Sequence, residues 1–170
     1  MNSKKNLIFL GMMGSGKSSI GFLVSQKLNL KFIDIDTLIE NELGMTISNI
    51  FKTHGEEYFR DIEEKITLKV LKLSKNIISV GGGSFINEKI KKEVINNNLS
   101  FWLYWDELIL LKRIRNSKKR PLAFKSSDQE LKQLIKKRSK VYAEADFKIN
   151  CNKLTKTEII KKIIKIYELH

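Results

Sequence analysis

The sequence predicts an α/β fold of three layers, with a five-stranded parallel sheet lying between two layers of helices. Three observations predict it. Short β-type runs alternate with longer stretches of helical periodicity from one end of the chain to the other. No internal repeat or linker interrupts them, and 170 residues is the size of one compact domain. Repeated β–α units of this kind make a parallel sheet, because each helix carries the chain back across one of its faces.

The elements follow in order. Leu7–Leu10 is an apolar run bounded by Gly11, which suits a buried strand. Lys17 to Leu28 carries Ile20, Leu23, Val24 and Leu28 on one helical face. Lys31-Phe-Ile-Asp-Ile reads as the second strand and delivers Asp34 and Asp36 at its end. Helical patterns span Thr37–Leu43, recur near Ile47–Phe51 and run strongly from Glu56 to Leu73. Ile77–Val80 is the third strand, Glu88–Asn96 a helix, Phe101–Tyr104 the fourth strand and Glu107–Arg115 another helix. Ser117–Ser127 has no periodicity and holds the only proline, Pro121. Asp128 is expected to cap a helix reaching about Ala143, Phe147–Ile149 is the fifth strand, and Thr155 caps a last helix with Ile159, Ile160, Ile163 and Ile164 inward.

Between the first strand and its helix lies Gly11-Met-Met-Gly-Ser-Gly-Lys-Ser, the spacing G-x-x-x-x-G-K-S of a phosphate-binding loop. Glycines at 11, 14 and 16 allow backbone angles closed to residues with a Cβ, so several N–H groups can turn inward around an anion. The following helix aims its positive end at the same place. Lys17 can reach the β- and γ-phosphates, and the Ser18 hydroxyl can ligate Mg²⁺. Gly14, Ser15, Gly16, Lys17, Ser18 and Ser19 are therefore the candidate nucleotide contacts. The alternative, a turn that merely joins strand to helix, does not call for this spacing.

In a parallel sheet ligands collect at the carboxyl ends of the strands. Asp34 and Asp36 arrive there from the second strand and Gly81-Gly-Gly83 from the third. Two carboxylates beside a nucleotide suit metal handling and acceptance of a hydroxyl proton. Asp36 could instead be a helix N-cap before Thr37, which would explain one carboxylate and not both. The triple glycine is either a tight turn or an anion site built from backbone N–H groups.

Composition narrows the partners. Lys+Arg 32 against Asp+Glu 19 gives +13, but the charge is spread along the whole chain, as a solvated lysine surface would be. It would still favour anionic substrates. Cys151 stands alone, which excludes a disulfide framework and a cysteine metal cluster, and it reads as a small residue at a strand end. Charged residues begin at once, no stretch is long enough to cross a bilayer, and a cytoplasmic location is expected.

Taken together, Gly11–Gly21, Phe32-Ile-Asp-Ile-Asp36, Gly55-Glu-Glu-Tyr-Phe-Arg-Asp-Ile-Glu-Glu64, Gly81–Gly83 and Arg120-Pro-Leu122 resemble the shikimate kinases over nearly the whole chain. The resemblance implies a P-loop kinase fold and an ATP- and Mg²⁺-dependent transfer of phosphate to the 3-hydroxyl of shikimate. It implies a substrate-binding helical segment at about 36–64 and a lid at about 117–127. Asp36 would contact the acceptor hydroxyls and assist the transfer, and Asp34 would stand near Mg²⁺. Arg60, Gly82, Gly83 and Arg138 would hold the substrate, Arg113 would lie against adenine, and Arg120 would reach the moving phosphate. Lys17, Asp36 and Arg120 are thus the expected catalytic residues. Glu63, one turn after Arg60, either braces that guanidinium or forms an ordinary surface ion pair. Phe51 and Phe59 either wall the substrate ring or belong to the core; His54 and His170 show no partner pattern. Where relatives often place a proline against adenine, this chain has Asn152-Lys153-Leu154-Thr155-Lys156. A monomer is expected, with no nucleic-acid or membrane partner. A gluconate or nucleotide kinase would share the P-loop and lid but change the Arg60 and triple-glycine elements. A nucleic-acid-associated ATPase would need a recognition module that is not visible.

Overall fold

A computed structural model describes residues 5–116 and 126–170. The elements are β1 (Leu7–Leu10), α1 (Lys17–Leu28), β2 (Lys31–Asp34), α2 (Ile35–Leu43), α3 (Ile47–Leu71), β3 (Asn76–Ser79), α4 (Glu88–Asn97), β4 (Leu99–Tyr104), α5 (Glu107–Arg115), α6 (Asp128–Tyr142), β5 (Phe147–Asn150) and α7 (Lys156–Glu168). A single 3₁₀ turn, Ser84–Ile86, precedes α4. The five strands pair in parallel in the order β2-β3-β1-β4-β5. This order sets the carboxyl ends of β2, β3 and β1 side by side, and it is what gathers the three loops singled out in the sequence.

The central strand β1 is fully buried, and its alternating side chains divide the core in two. Ile8 and Leu10 join Ile78, Val80 and Trp102 in the core beneath α2, α3, α4 and α6. Leu7 and Phe9 join Ile77, Phe101 and Leu103 beneath α1 and α7. Burial of each such side chain contributes about 1.5–3 kcal/mol. At the opposite end of the sheet from the loops, the buried Asn6 amide donates to Leu71 O, Leu73 O and Asn98 Oδ1, and its own oxygen accepts from the Asn76 N–H. One polar side chain thereby fixes where β1, β3, β4 and the end of α3 begin or stop. No helix among the described residues is long and apolar enough to cross a membrane.

The ends of β3, β4, β5 and α4 shift by one or two residues, and two helix starts differ from the expectation in what caps them. The second strand stops at Asp34, and Asp36 lies in the first turn of α2. The capping carboxylate is Asp34, which accepts from the Thr37 N–H at 3.2 Å; the alternative role considered for Asp36 belongs to its neighbour. Likewise Ser127, not Asp128, caps α6, in a reciprocal box with Glu130. Thr155 caps α7 as expected, paired with Glu158 in the same way. Helix α3 is interrupted at Gly55 (φ 84°, ψ 175°), which separates the two helical patterns seen in the sequence. The expected lid, including Arg120, Pro121 and Leu122, falls almost entirely outside the described residues.

Candidate active site

The loop after β1 has the strained backbone that its glycines permit: φ is 140° at Gly11, 78° at Gly14 and 96° at Gly16. Gly16 is also the N-cap of α1 in the left-handed region and has no side chain to satisfy the helix N–H groups, which leaves them to a ligand. Lys17 opens α1 and is largely buried, its ammonium donating to Gly11 O at 2.7 Å and Met12 O at 3.1 Å. Ser18 and Ser19 lie exposed in the same first turn. The buried Ser15 hydroxyl has no hydrogen-bond partner among the described residues.

Arg113, on α5, packs onto this loop: its Nε donates to Gly14 O at 2.8 Å. Trp105, which sequence reasoning passed over, lies beneath the same guanidinium and donates from its indole N–H to Ser15 O at 2.9 Å. The signal for it was position, since it directly follows β4 at the carboxyl end of the sheet.

Across from the phosphate loop, the turn after β3 is crowded by functional side chains. A Cβ on Gly81 would lie 2.4 Å from Glu63 Oε1, 2.9 Å from Ser84 Oγ and 3.0 Å from Asp36 Oδ1. One on Gly83 would lie 2.8 Å from Arg60 Nη1, and one on Gly82 would lie 3.3 Å from the Met13 nitrogen and 3.5 Å from Arg138 Nη1. The turn therefore touches Asp36, Arg60, Arg138 and the phosphate loop at once.

Glu63 is buried. It accepts from Arg60 Nη1 at 2.7 Å and from Ser84 Oγ at 2.6 Å, so it braces the arginine and is not a surface pair. Glu56 grips the other side of Arg60, at 3.1 Å from Nη2. Burial works against the Arg60 charge, but the Glu63 and Glu56 carboxylates outweigh it, so its pKa lies above the ordinary guanidinium value. Phe59 is buried and its ring is 4.7 Å from that of Phe51, with the Arg60 guanidinium 5.1 Å above Phe59. The pair belongs to the core and also forms the floor under Arg60. His54 stacks on Tyr58, and His170 meets Phe147 edge-on.

Arg138 lies on α6 with Nη1 3.8 Å from Met12 Sδ, and its Nε is buried with no hydrogen-bond partner among the described residues. One turn later the buried Tyr142 hydroxyl donates to Gly82 O and fixes the glycine turn. Its pKa is pushed up to about 12, chiefly by burial, with the Arg138 charge pulling the other way. Tyr142 was also missed, although its spacing of four from Arg138 puts both on one helix face.

The sequence-derived candidates thus form two groups facing each other across the strand ends. Gly14, Ser15, Gly16, Lys17, Ser18, Ser19 and Arg113 make a basic, donor-rich cradle. Asp36, Arg60, Gly82, Gly83 and Arg138 make a second pocket with two guanidinium groups and a carboxylate. Asp34 sits at the end of β2 beside the second group, and Arg120 is outside the described residues. Such a pair of subsites can align an anionic donor with a small acceptor that has its own anionic group.

The chain is similar to known proteins over nearly its whole length. A family model described as shikimate kinase matches residues 13–168. The shikimate kinase of Thermodesulfovibrio yellowstonii is 38% identical over 96% of this chain and 95% of its own length. That of Caldicellulosiruptor bescii is 39% identical with the same two coverages, 96% and 95%. Among solved structures, shikimate kinase from Acinetobacter baumannii in complex with shikimate superposes with a TM-score of 0.90, at 26% identity, over 99% of this chain and 95% of that one.

Proposed function

The chain belongs to the shikimate kinase family and transfers the γ-phosphate of ATP to the 3-hydroxyl of shikimate, giving shikimate 3-phosphate and ADP, and we propose how its residues divide that work. The observation that carries the division is the second pocket, where two arginines and Asp36 meet around Gly81–Gly83. Shikimate brings a carboxylate and three hydroxyls, and these residue types are complementary to it.

Arg60 and Arg138 hold the carboxylate. Arg60 is preset by Glu63 and Glu56, and Arg138 keeps a buried, unsatisfied Nε that a ligand oxygen can satisfy. Asp36 orients the acceptor hydroxyl and takes up its proton as the oxygen attacks phosphorus in line. The backbone N–H groups of Gly14 to Ser19 and the Lys17 ammonium bind the phosphates and offset the charge that builds there. The segment at about 36–64 binds the acceptor, and the lid at about 117–127, from which Arg120 reaches the moving phosphate, closes over both substrates. Excluding water in this way keeps ATP from being hydrolysed.

Magnesium fits the residues present. Ser18 offers a hydroxyl and Asp34 a carboxylate, hard oxygen donors of the kind this ion takes while keeping water and phosphate oxygens in its other positions. When bound it supplies positive charge beside the β- and γ-phosphates. Arg113 lies against adenine. The protein works as a cytoplasmic monomer, and its positive surface serves anionic small molecules and no nucleic acid.

A coupled kinase assay with shikimate, gluconate and nucleoside monophosphates tests the reading. Turnover is expected with shikimate, with a magnesium requirement. Equal turnover with gluconate, or none with shikimate, would overturn it.

A further inference from the structure

The base-binding side holds a contact that the proposed roles leave unused. Trp105 is anchored to the phosphate loop by its indole N–H on Ser15 O at 2.9 Å, and Arg113 is anchored one residue earlier, by Nε on Gly14 O at 2.8 Å. The Arg113 guanidinium carbon lies 4.3 Å from the centre of the Trp105 ring. A Cβ on Gly16 would lie 3.6 Å from Arg113 Nη2, so the group stands beside the start of α1 and the phosphate loop. Arg113 is otherwise exposed. The indole thus lies against the guanidinium, while the residue as a whole stays exposed to a ligand.

We propose that Trp105 is a positioning residue for the nucleotide base: it holds the Arg113 guanidinium flat, as the preformed platform on which a purine stacks. The inference rests on the reading that Arg113 lies against adenine. An arginine that must order itself on binding loses side-chain entropy at that moment, and one already stacked on an indole loses less. The segment that carries the indole is itself tied down, because the N–H of Asp106, next to Trp105, donates to Asn152 Oδ1 at 2.7 Å.

Calorimetric titration of Trp105→Leu, Trp105→Phe and Arg113→Ala with Mg–ATP and with inorganic tripolyphosphate tests this. Trp105→Leu should weaken ATP roughly three- to tenfold, the range of a stacked cation, and leave tripolyphosphate within about twofold. Trp105→Phe, which keeps a ring, should hold ATP within about threefold. Adding Trp105→Leu to Arg113→Ala should cost no more than Arg113→Ala alone, and an unchanged KM for shikimate checks that the fold is intact. Equal loss for ATP and tripolyphosphate would reduce Trp105 to a prop for the phosphate loop and overturn the proposal. So would unchanged ATP binding in Trp105→Leu when Arg113→Ala is weakened. If Arg113→Ala itself binds ATP normally, it is the placement of adenine that has failed.

Discussion

Gly83→Ala should damage acceptor binding while leaving the fold nearly untouched. The backbone at Gly83 (φ −107°, ψ −15°) is open to any residue, so an added methyl meets no backbone strain. What it meets is Arg60: Nη1 at 2.8 Å, Nη2 at 3.0 Å and Cζ at 3.1 Å. An ordinary contact needs about half an ångström more, and only the arginine can supply it, because its side chain is 36% exposed and can swing outward. Swinging outward stretches the 2.7 Å bond to Glu63. In stability the loss is about 1 kcal/mol, because a shift of half an ångström lengthens the bond to buried Glu63 without breaking it and Ser84 still donates to that carboxylate, and the lower chain entropy of alanine in the unfolded state returns about 0.4–1 kcal/mol. In binding, a misplaced guanidinium forfeits a charge-assisted bond of about 1.5–3 kcal/mol to the substrate carboxylate, which is roughly a ten- to hundredfold rise in KM for shikimate. Gly81→Ala is the control with the opposite sign. There the methyl would lie 2.4 Å from the Oε1 of buried Glu63, which Arg60 and Ser84 hold in place, so a folding loss of about 1–3 kcal/mol is expected. Initial rates against shikimate at saturating ATP, with thermal melts of both variants, decide the matter. A KM for shikimate within threefold of the parent in Gly83→Ala, at unchanged melting temperature, would refute the placement of Arg60 in the acceptor pocket.

Other outcomes follow from the same geometry. Lys17→Ala should lower turnover by more than tenfold, about 1.4 kcal/mol on the barrier, without a comparable change in melting temperature; near-normal activity would remove Lys17 from the phosphates. Asp36→Asn should lower kcat by about 10²–10⁴ if the carboxylate takes the proton, with ATP affinity within about twofold, whereas a loss confined to KM would make it a binding group only. Thr155→Ala removes the cap of α7 and should cost about 1 kcal/mol, a fall of about 2–4 °C in melting temperature by differential scanning. The Cys151 thiol is buried, and burial pushes its pKa up to about 12. A thiol reagent at pH 8 should therefore label it only as fast as the protein unfolds. Because the folded thiol keeps a proton that the unfolded one releases above about pH 8.5, this residue's contribution to stability should fall as pH rises through that value.

The strands and helices were legible to within a residue or two because apolar runs and helical periodicity are local signals, and β1, buried along its whole length, is their extreme case. The misplaced boundaries lie where two local signals compete. Phe32-Ile-Asp-Ile-Asp36 alternates like a strand, yet Asp34 bonded to the Thr37 N–H starts a helix two residues earlier, and hydrogen bonding beats alternation. At α6 the pattern Ser127-x-x-Glu130 was itself a capping signature, and Asp128 drew attention only by adjacency.

The site was legible as residue types, and less so as contacts. Spacing put Glu63 one turn from Arg60 but could not say whether the pair was wet or dry. That depends on Gly81, eighteen positions further on, whose missing Cβ leaves the room that Glu63 Oε1 occupies. The same holds along the turn, where Gly83 leaves room for Arg60 and Gly82 for the approach of Met13 and Arg138. A tight turn and a ring of backbone donors were the two readings of the triple glycine that a sequence permits. The structure adds a third reason for it, which is absent side chains making space for charged ones. Tertiary approach of this kind has no periodicity, so no pattern in the chain can announce it. It also explains why three successive positions share one residue type although each faces a different neighbour.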